Sequence, residues 1–262
     1  MSDWKPTLYR EFEDERTRPA RELLARVPLA SVRHAVDLGC GPGNSTELLV
    51  ERFPTAAVIG TDSSTAMLAS ARERLPEGPR LRFTLGDIAT WTPGDDAPGL
   101  IFANASLQWV TDHRTLIPRL FGSLAPGGVL AVQMPDNLDE PSHRLMREVA
   151  ALPDFSREIG NAAAVRSRLL DAESYYDLLA TEAAHIDIWH TVYRHPMASP
   201  GAIVKWLRST GLRPFLDRLD TPTQAAFLAD YEARIDDAYP PRIDGRRLLR
   251  FPRLFIVAER KP

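Results

Sequence analysis

Short apolar runs alternate along the first half of the chain with stretches whose apolar residues recur at helical spacing. The runs cover residues 35–38, 57–60, 81–85, 100–103 and 129–132. Alternation of this kind predicts a parallel sheet with crossover helices. Residues 47–53 read as a helix stopped by Pro54. Met67, Leu68, Ala71 and Leu75 share one helical face that ends at Pro76. Residues 116–124 form a third helix, and Ala125-Pro126-Gly127-Gly128 turns the chain into the fifth run. Ahead of the first run, an approach bearing Trp4, Tyr9 and Phe12 leads into a helix reaching about Val27. Pro19 suits that helix's first turn, and Leu23, Leu24 and Val27 supply its apolar face.

The second half is less regular. Residues 174–184 read as a helix, 186–193 as a strand and 251–258 as the closing strand, with an arginine-rich helical stretch at 194–250 between the last two. The economical architecture is one domain over residues 1–262, with an N-terminal helical cap at 1–30 and a helical insertion at 194–250.

Composition narrows the function. At 262 residues, with 44% hydrophobic and 26% charged, the chain can bury a large core. A net charge of -3 leaves no basic surplus for phosphates, so no nucleic-acid partner is expected. Cys40 is the one cysteine, which excludes an intrachain disulfide and a thiolate cluster. The histidines at 34, 113, 143, 185, 190 and 195 lack metal-ligand spacing, and no metal is expected. Lys5, Arg10, Glu11, Glu13, Asp14 and Glu15 precede any apolar stretch, unlike a secretory signal. No run reaches the ~18 apolar residues of a spanning helix. A cytoplasmic protein without a membrane partner is expected.

Asp37-Leu38-Gly39-Cys40-Gly41-Pro42-Gly43-Asn44 follows a strand and opens a helix. Glycines serve where backbone approaches a ligand more closely than a Cβ allows. Asn44 with Glu47 fits a capping box for the helix that follows. A dinucleotide loop reads Gly-x-Gly-x-x-Gly, whereas here Asn44 takes the third glycine's place and Gly43 comes one position early. Asp37 also sits at the strand end, where a carboxylate repels a pyrophosphate and welcomes a sulfonium. Both features favour S-adenosyl-L-methionine over NAD.

Further polar residues follow in register at strand ends. Asp62, with Ser63 beside it, ends the second strand, where an acid accepts both ribose hydroxyls. Asp87 follows the third strand, placed to accept from an adenine amino group while Ile88 covers the ring; Asn104 ends the fourth. Ligands of open α/β sheets bind beyond the carboxyl ends of the strands, where all of these fall.

The glycine segment with Asp62, Gly86-Asp87-Ile88 and Pro126-Gly127-Gly128 resembles the motif series of class I S-adenosylmethionine-dependent methyltransferases. Four stretches resemble the trans-aconitate methyltransferase subfamily more narrowly. They are Phe102-Ala103-Asn104-Ala105-Ser106-Leu107-Gln108-Trp109, Gln133-Met134-Pro135-Asp136-Asn137, Thr210-Gly211-Leu212-Arg213-Pro214 and the segment from Phe251 to Ala258. The likeness runs from Trp4 to the C-terminus and is weakest at 150–174. It implies a Rossmann-like α/β fold: a doubly wound, mostly parallel seven-stranded sheet, its last strand antiparallel, with a helical insertion before that strand. The implied reaction is methyl ester formation on a small tricarboxylate, with S-adenosyl-L-homocysteine as product.

A carboxylate acceptor is ionised at neutral pH and needs no general base, so no catalytic residue beyond positioning groups is expected. Arginine's planar fork suits carboxylates, and the insertion offers Arg208, Arg213, Arg218, Arg242, Arg246 and Arg247. Arg213 stands out because Gly211 and Pro214 fix a turn around it; Arg16 and Arg18 are weaker candidates. Gln108 and Trp109 are expected to shape the acceptor pocket, Tyr9 to close over the methionine end, and the insertion to act as a substrate lid. Cys40 reads as a packing residue rather than a nucleophile. The competing readings are a methyltransferase for another small acid or a phenol, a nicotinamide oxidoreductase, and a non-catalytic S-adenosylmethionine-binding module.

Overall fold

The computed structural model describes residues 13–208 and 210–262. Its elements in chain order are α1 (Glu13–Ala25), β1 (His34–Leu38), α2 (Asn44–Arg52), β2 (Ala57–Asp62), α3 (Thr65–Arg74), β3 (Leu81–Leu85) and β4 (Leu100–Asn104). A 3-10 turn (Leu107–Trp109), α4 (His113–Gly122) and β5 (Val129–Pro135) follow. The second half holds α5 (Pro141–Ala150), α6 (Pro153–Ile159), α7 (Ala172–Leu179), β6 (Ala183–Met197), α8 (Pro200–Arg208), α9 (Arg213–Leu216), α10 (Thr221–Ala238) and β7 (Arg247–Arg260).

The strands form one seven-stranded sheet in the order β3-β2-β1-β4-β5-β7-β6. β1 to β5 are parallel throughout, in register pairs such as Asp37 with Gly60 and Asn104 with Gln133. β7 runs the other way: Arg260 N–H donates to Gly128 O at 2.8 Å, and Asp136 N–H donates to Pro252 O at 3.0 Å. As numbering rises along β5 it falls along β7, so the sheet is the mostly parallel one that the resemblance implies. β5 is buried at every position and β4 at all but Asn104, because helices cover both faces of the inner strands.

The chain divides into two compact units. A sheet unit comprises the described residues up to Pro135, Leu169–Thr191 and Leu254–Pro262; a helical unit comprises Asp136–Arg168 and Val192–Arg253. Val36, Leu38, Ile101, Leu120, Phe121, Leu130, Val132 and Ile256 lie in the core of the sheet unit. In the helical unit, α10 packs against α5 and α8. Tyr231 Oη donates to Ser142 O at 2.7 Å, and Ser142 N–H donates to Tyr239 Oη at 3.1 Å.

Several local expectations are corrected. Pro19 lies inside α1, not in its first turn, so the helix forgoes one interior N–H bond there. The helix expected at 174–184 stops at Leu179, because the chain enters β6 at Ala183. The stretch 194–250 is not all helix: β6 extends to Met197 and β7 begins at Arg247. No capping box forms at α2. Its cap is Gly43, in left-handed backbone at φ 91°, with no side-chain cap bond. Asn44 Nδ2 instead donates to Thr17 Oγ1 at 3.2 Å, and Glu47 pairs with Arg74 at 2.9 Å.

Candidate active site

The loop after β1 bends through three left-handed glycines, Gly39 (φ 74°), Gly41 (φ 53°) and Gly43 (φ 91°). Each is easy only for glycine. At Gly39 a Cβ would also fall 2.3 Å from Ser106 Cβ, so the loop and the β4 turn touch with no room between them. Gly41 differs, since a Cβ there would meet nothing within 4 Å. The loop is pinned to the end of β2: Gly39 N–H and Cys40 N–H donate to Thr61 O, and Gly41 N–H donates to Asp62 Oδ2 at 2.9 Å.

Asp37 stands behind this loop and not on the cavity wall. Its side chain is fully buried, and Oδ2 accepts from Ser45 Oγ at 2.7 Å and Thr46 Oγ1 at 2.6 Å, in the first turn of α2. Burial raises its carboxyl to about 6; the two hydroxyls pull the other way, and Asp62 adds to the rise. Asp37 therefore ties the strand end to the helix N-terminus and so shapes the glycine bend. Cys40 is buried, and burial together with Asp37 and Asp62 pushes its thiol up, which keeps it protonated and unreactive.

A cavity of about 350 Å³ opens over the loop, within the range of small-molecule sites. Gly39, Gly41, Asn44, Asp62, Ser63, Asp87, Ile88, Asn104 and Trp109 all line it, which brings together residues from the ends of four strands. Asp62 Oδ1 also accepts from Ser64 N–H at 2.9 Å. Each of its two oxygens thus accepts from a backbone N–H. Asp87 Oδ1 accepts from Ala89 N–H at 2.9 Å, and the Arg119 guanidinium holds that turn by donating to Ile88 O and Ala89 O at 3.0 Å each and to Trp91 O.

The β4 turn carries strain. Ala105, next to Asn104, has φ 54°, a left-handed conformation costing a non-glycine residue roughly 1–2 kcal/mol. It is held by three bonds: Ala105 N–H to Gln133 O at 2.9 Å, Gln108 Nε2 to Ala105 O at 2.6 Å, and Ser106 Oγ to Leu38 O at 2.6 Å. Asn104 lines the cavity, and its Oδ1 is buried with no donor among the described residues.

The remaining candidates separate. Gln108 is buried and outside the cavity lining; it reaches the site only through Ala105. Tyr9 lies outside the described residues. Arg213 opens α9 in the helical unit and pairs with Asp217 at 3.3 Å. Arg18 is exposed and paired with Glu22 at 2.7 Å. Arg16, by contrast, is 6% exposed and lines the cavity beside Thr17 and Ala20. Arg16 was only a weaker candidate, and Thr17, Ser106, Met67 and Arg119 are not among the site residues expected from the sequence. Among the described residues no group of three His, Cys, Asp or Glu side chains is arranged to hold a metal, and no helix is long and apolar enough to cross a membrane.

Residues 35–128 match the methyltransferase domain family. The chain is 66% identical over 261 residues to trans-aconitate 2-methyltransferase of Variovorax paradoxus, covering 100% of both. Against the enzyme of the same name from Yersinia pestis it is 59% identical, covering 98% of each. In fold it is similar to Haemonchus contortus phosphoethanolamine N-methyltransferase 2, with a TM-score of 0.55 at 17% identity, over 94% of this chain and 53% of that one. It is also similar to geranyl diphosphate C-methyltransferase of Streptomyces coelicolor, with a TM-score of 0.50 at 20% identity, over 93% of this chain and 77% of that one. With identity this high along its whole length, the chain belongs to the trans-aconitate 2-methyltransferase family.

Proposed function

We propose that the protein transfers the methyl group of S-adenosyl-L-methionine to a carboxylate of trans-aconitate, giving a monomethyl ester and S-adenosyl-L-homocysteine. The observation that carries this reading is the convergence of the left-handed glycine loop, Asp62, Asp87 and Asn104 on one cavity. When bound, the donor supplies a methyl on a positively charged sulfur.

The chain's own groups fit that molecule. Asp62 accepts the ribose hydroxyls, while Asp87 accepts the adenine amino group and Ile88 covers its ring. The open backbone of Gly41 lets the nucleoside approach, and the oxygen of Asn104 accepts from the ammonium. Arg16 supplies a buried positive charge for a carboxylate. Trp109 walls the acceptor side, and Gln108 positions that wall through Ala105. Met67, Ile88 and Val110 make the cavity partly apolar. Excluding water there favours a reaction in which a carboxylate and a sulfonium cancel each other's charge. No side chain has to remove a proton, because the acceptor is already ionised. The main task left to the protein is to hold an oxygen about 3–3.5 Å from the methyl and in line with the sulfur.

Tyr9 as a closing residue, Arg213 as a grip and the 194–250 stretch as a lid belong to this proposal on the grounds of sequence. So does a cytoplasmic setting, in keeping with a chain that has no disulfide to maintain. The net charge of -3 favours a small acid over a nucleic acid as acceptor. The test is release of S-adenosyl-L-homocysteine with a panel of di- and tricarboxylates and phenols. Trans-aconitate should give the highest kcat/KM; another acceptor ahead by more than tenfold would overturn the substrate, and no turnover with any would leave only a binding module.

A further inference from the structure

The segment that brings Trp109 and Val110 to the cavity is bracketed by strained backbone. Among the described residues, the two non-glycines in left-handed conformation are Ala105 at φ 54° and Asp112 at φ 57°. They stand at either end of residues 106–111, which include the 3-10 turn Leu107–Trp109. Backbone of this kind persists only where its surroundings over-determine it. At the first end, the three hydrogen bonds around Ala105 do so. At the second, Asp112 caps α4, and its Oδ2 accepts from Thr115 Oγ1 at 2.6 Å.

The middle of the segment is held by His113. Its Nε2 lies 2.9 Å from Leu107 O, a carbonyl that also accepts from Val110 N–H at 2.9 Å. A carbonyl only accepts, so Nε2 carries the ring proton. In that tautomer Nδ1 accepts from Tyr175 Oη, 2.5 Å away. Tyr175 is fully buried in α7, which packs on α4, and His113 is itself buried. With both ring nitrogens bonded to buried partners, the imidazole keeps one orientation. Contacts thus run from the core of the sheet unit, through tyrosine, imidazole and carbonyl, to Trp109 and Val110 on the cavity wall. His113 does not line the cavity.

We infer that His113 is a positioning residue for methyl transfer, acting through Leu107 O to hold Trp109 and Val110 against the acceptor. An in-line displacement tolerates little error, and a misplacement of about 1 Å can cost about a hundredfold in rate. The wall that orients the acceptor sits on a segment strained at both ends, where opening the turn would relieve that strain. The imidazole bond opposes the opening at its centre. Tyr175 keeps the bond aimed. The inference rests on Trp109 walling the acceptor side, as proposed above.

The test compares wild type with H113Q and H113N, which each keep one of the two bonds. Glutamine's Nε2 reaches the place of the imidazole Nε2 and can donate to Leu107 O. Asparagine's amide ends at the level of Nδ1 and meets only Tyr175. A merely structural histidine would make the two variants alike. H113N should lower kcat/KM for trans-aconitate by about tenfold to a hundredfold, with affinity for S-adenosyl-L-homocysteine within about threefold of wild type. H113Q should stay within about threefold of wild type in both. Hydrogen exchange at the Val110 amide should rise about tenfold or more in H113N and stay near wild type in H113Q. Equal losses in the two variants, or wild-type exchange in H113N, would overturn the inference. Should H113N not fold, Y175F takes its place: it removes the hydroxyl that aims the ring, and it should lower kcat/KM and raise Val110 exchange by about threefold or more. Wild-type values in Y175F would then overturn the inference. If wild type turns over no acid, the acceptor reading fails by itself, and Val110 exchange still decides whether His113 holds the turn.

Discussion

Asp37→Asn should gain stability on wild type as pH rises from acid to neutral. Asp37 is fully buried, and its carboxyl is raised from 3.8 to about 6 by desolvation. A group whose pKa is higher folded than unfolded binds its proton more tightly in the folded state. Its contribution is complete below about pH 4 and falls as pH rises to about 6, beyond which the carboxylate is buried with its charge. At 1.36 kcal/mol per pH unit, the rise from 3.8 to about 6 corresponds to roughly 3 kcal/mol between those limits. An asparagine keeps an oxygen that can accept from Ser45 and Thr46, and it never ionises. Any fixed cost of its new N–H group is independent of pH, so the difference between pH values isolates the charge. Urea denaturation of both proteins at pH 4.5 and 7.5 should show the variant gaining about 2 kcal/mol on wild type over that interval. Other titrating groups cancel in the comparison. A flat difference would refute the reasoning, meaning that the buried carboxyl does not titrate as the structure implies. The same variant should lose affinity for S-adenosyl-L-methionine more than for S-adenosyl-L-homocysteine, because only the former carries a sulfonium; equal losses would show that Asp37 acts through loop shape alone.

Gly39→Ala forces left-handed backbone on an L residue and drives a Cβ against Ser106, so it should cost ~2–5 kcal/mol in urea melts, whereas Gly41→Ala, which meets nothing, should cost ~1–2 kcal/mol. Equal losses would contradict the contact argument. Arg16→Gln removes a buried cation from the cavity wall, and it should weaken either S-adenosyl-L-homocysteine binding or trans-aconitate KM by ~10- to 100-fold; calorimetry and kinetics identify which carboxylate it holds, and no change in either would exclude the role. Arg119→Ala frees the carbonyls of Ile88, Ala89 and Trp91 and should loosen the turn carrying Asp87, raising hydrogen exchange at 87–91 and KM for the donor at unchanged kcat. Wild-type exchange there would refute the bracing role.

The sheet was legible because its inner strands are buried on both faces and therefore print short apolar runs. The observed bounds of β1 to β5 differ from the expected ones by three residues at most. The glycine loop and the polar residues at strand ends were legible for a related reason: each special residue type sits where a backbone bend or a ligand demands it. Expectations failed where one residue type serves two ends. Asn44 and Glu47 have the spacing of a capping box, but their side chains are drawn to Thr17 and Arg74, which lie 27 residues away in each case. α5 and α6 were not read, although Pro141 and Pro153 each stand in a first helical turn, a usable signal. Arg16 stood only among the weaker candidates for a carboxylate grip. α1, which carries it, packs on α2, a contact that no local pattern reports.

The central claim is transfer of one methyl group to a carboxylate oxygen, and the most direct measurement follows that carbon. Incubation with donor labelled with carbon-13 at the methyl, in the presence of trans-aconitate, should move the label into an ester methyl resonance as S-adenosyl-L-homocysteine forms in equal amount. Label that stays on sulfur while the protein demonstrably binds the donor, or that appears on water alone, would contradict the account.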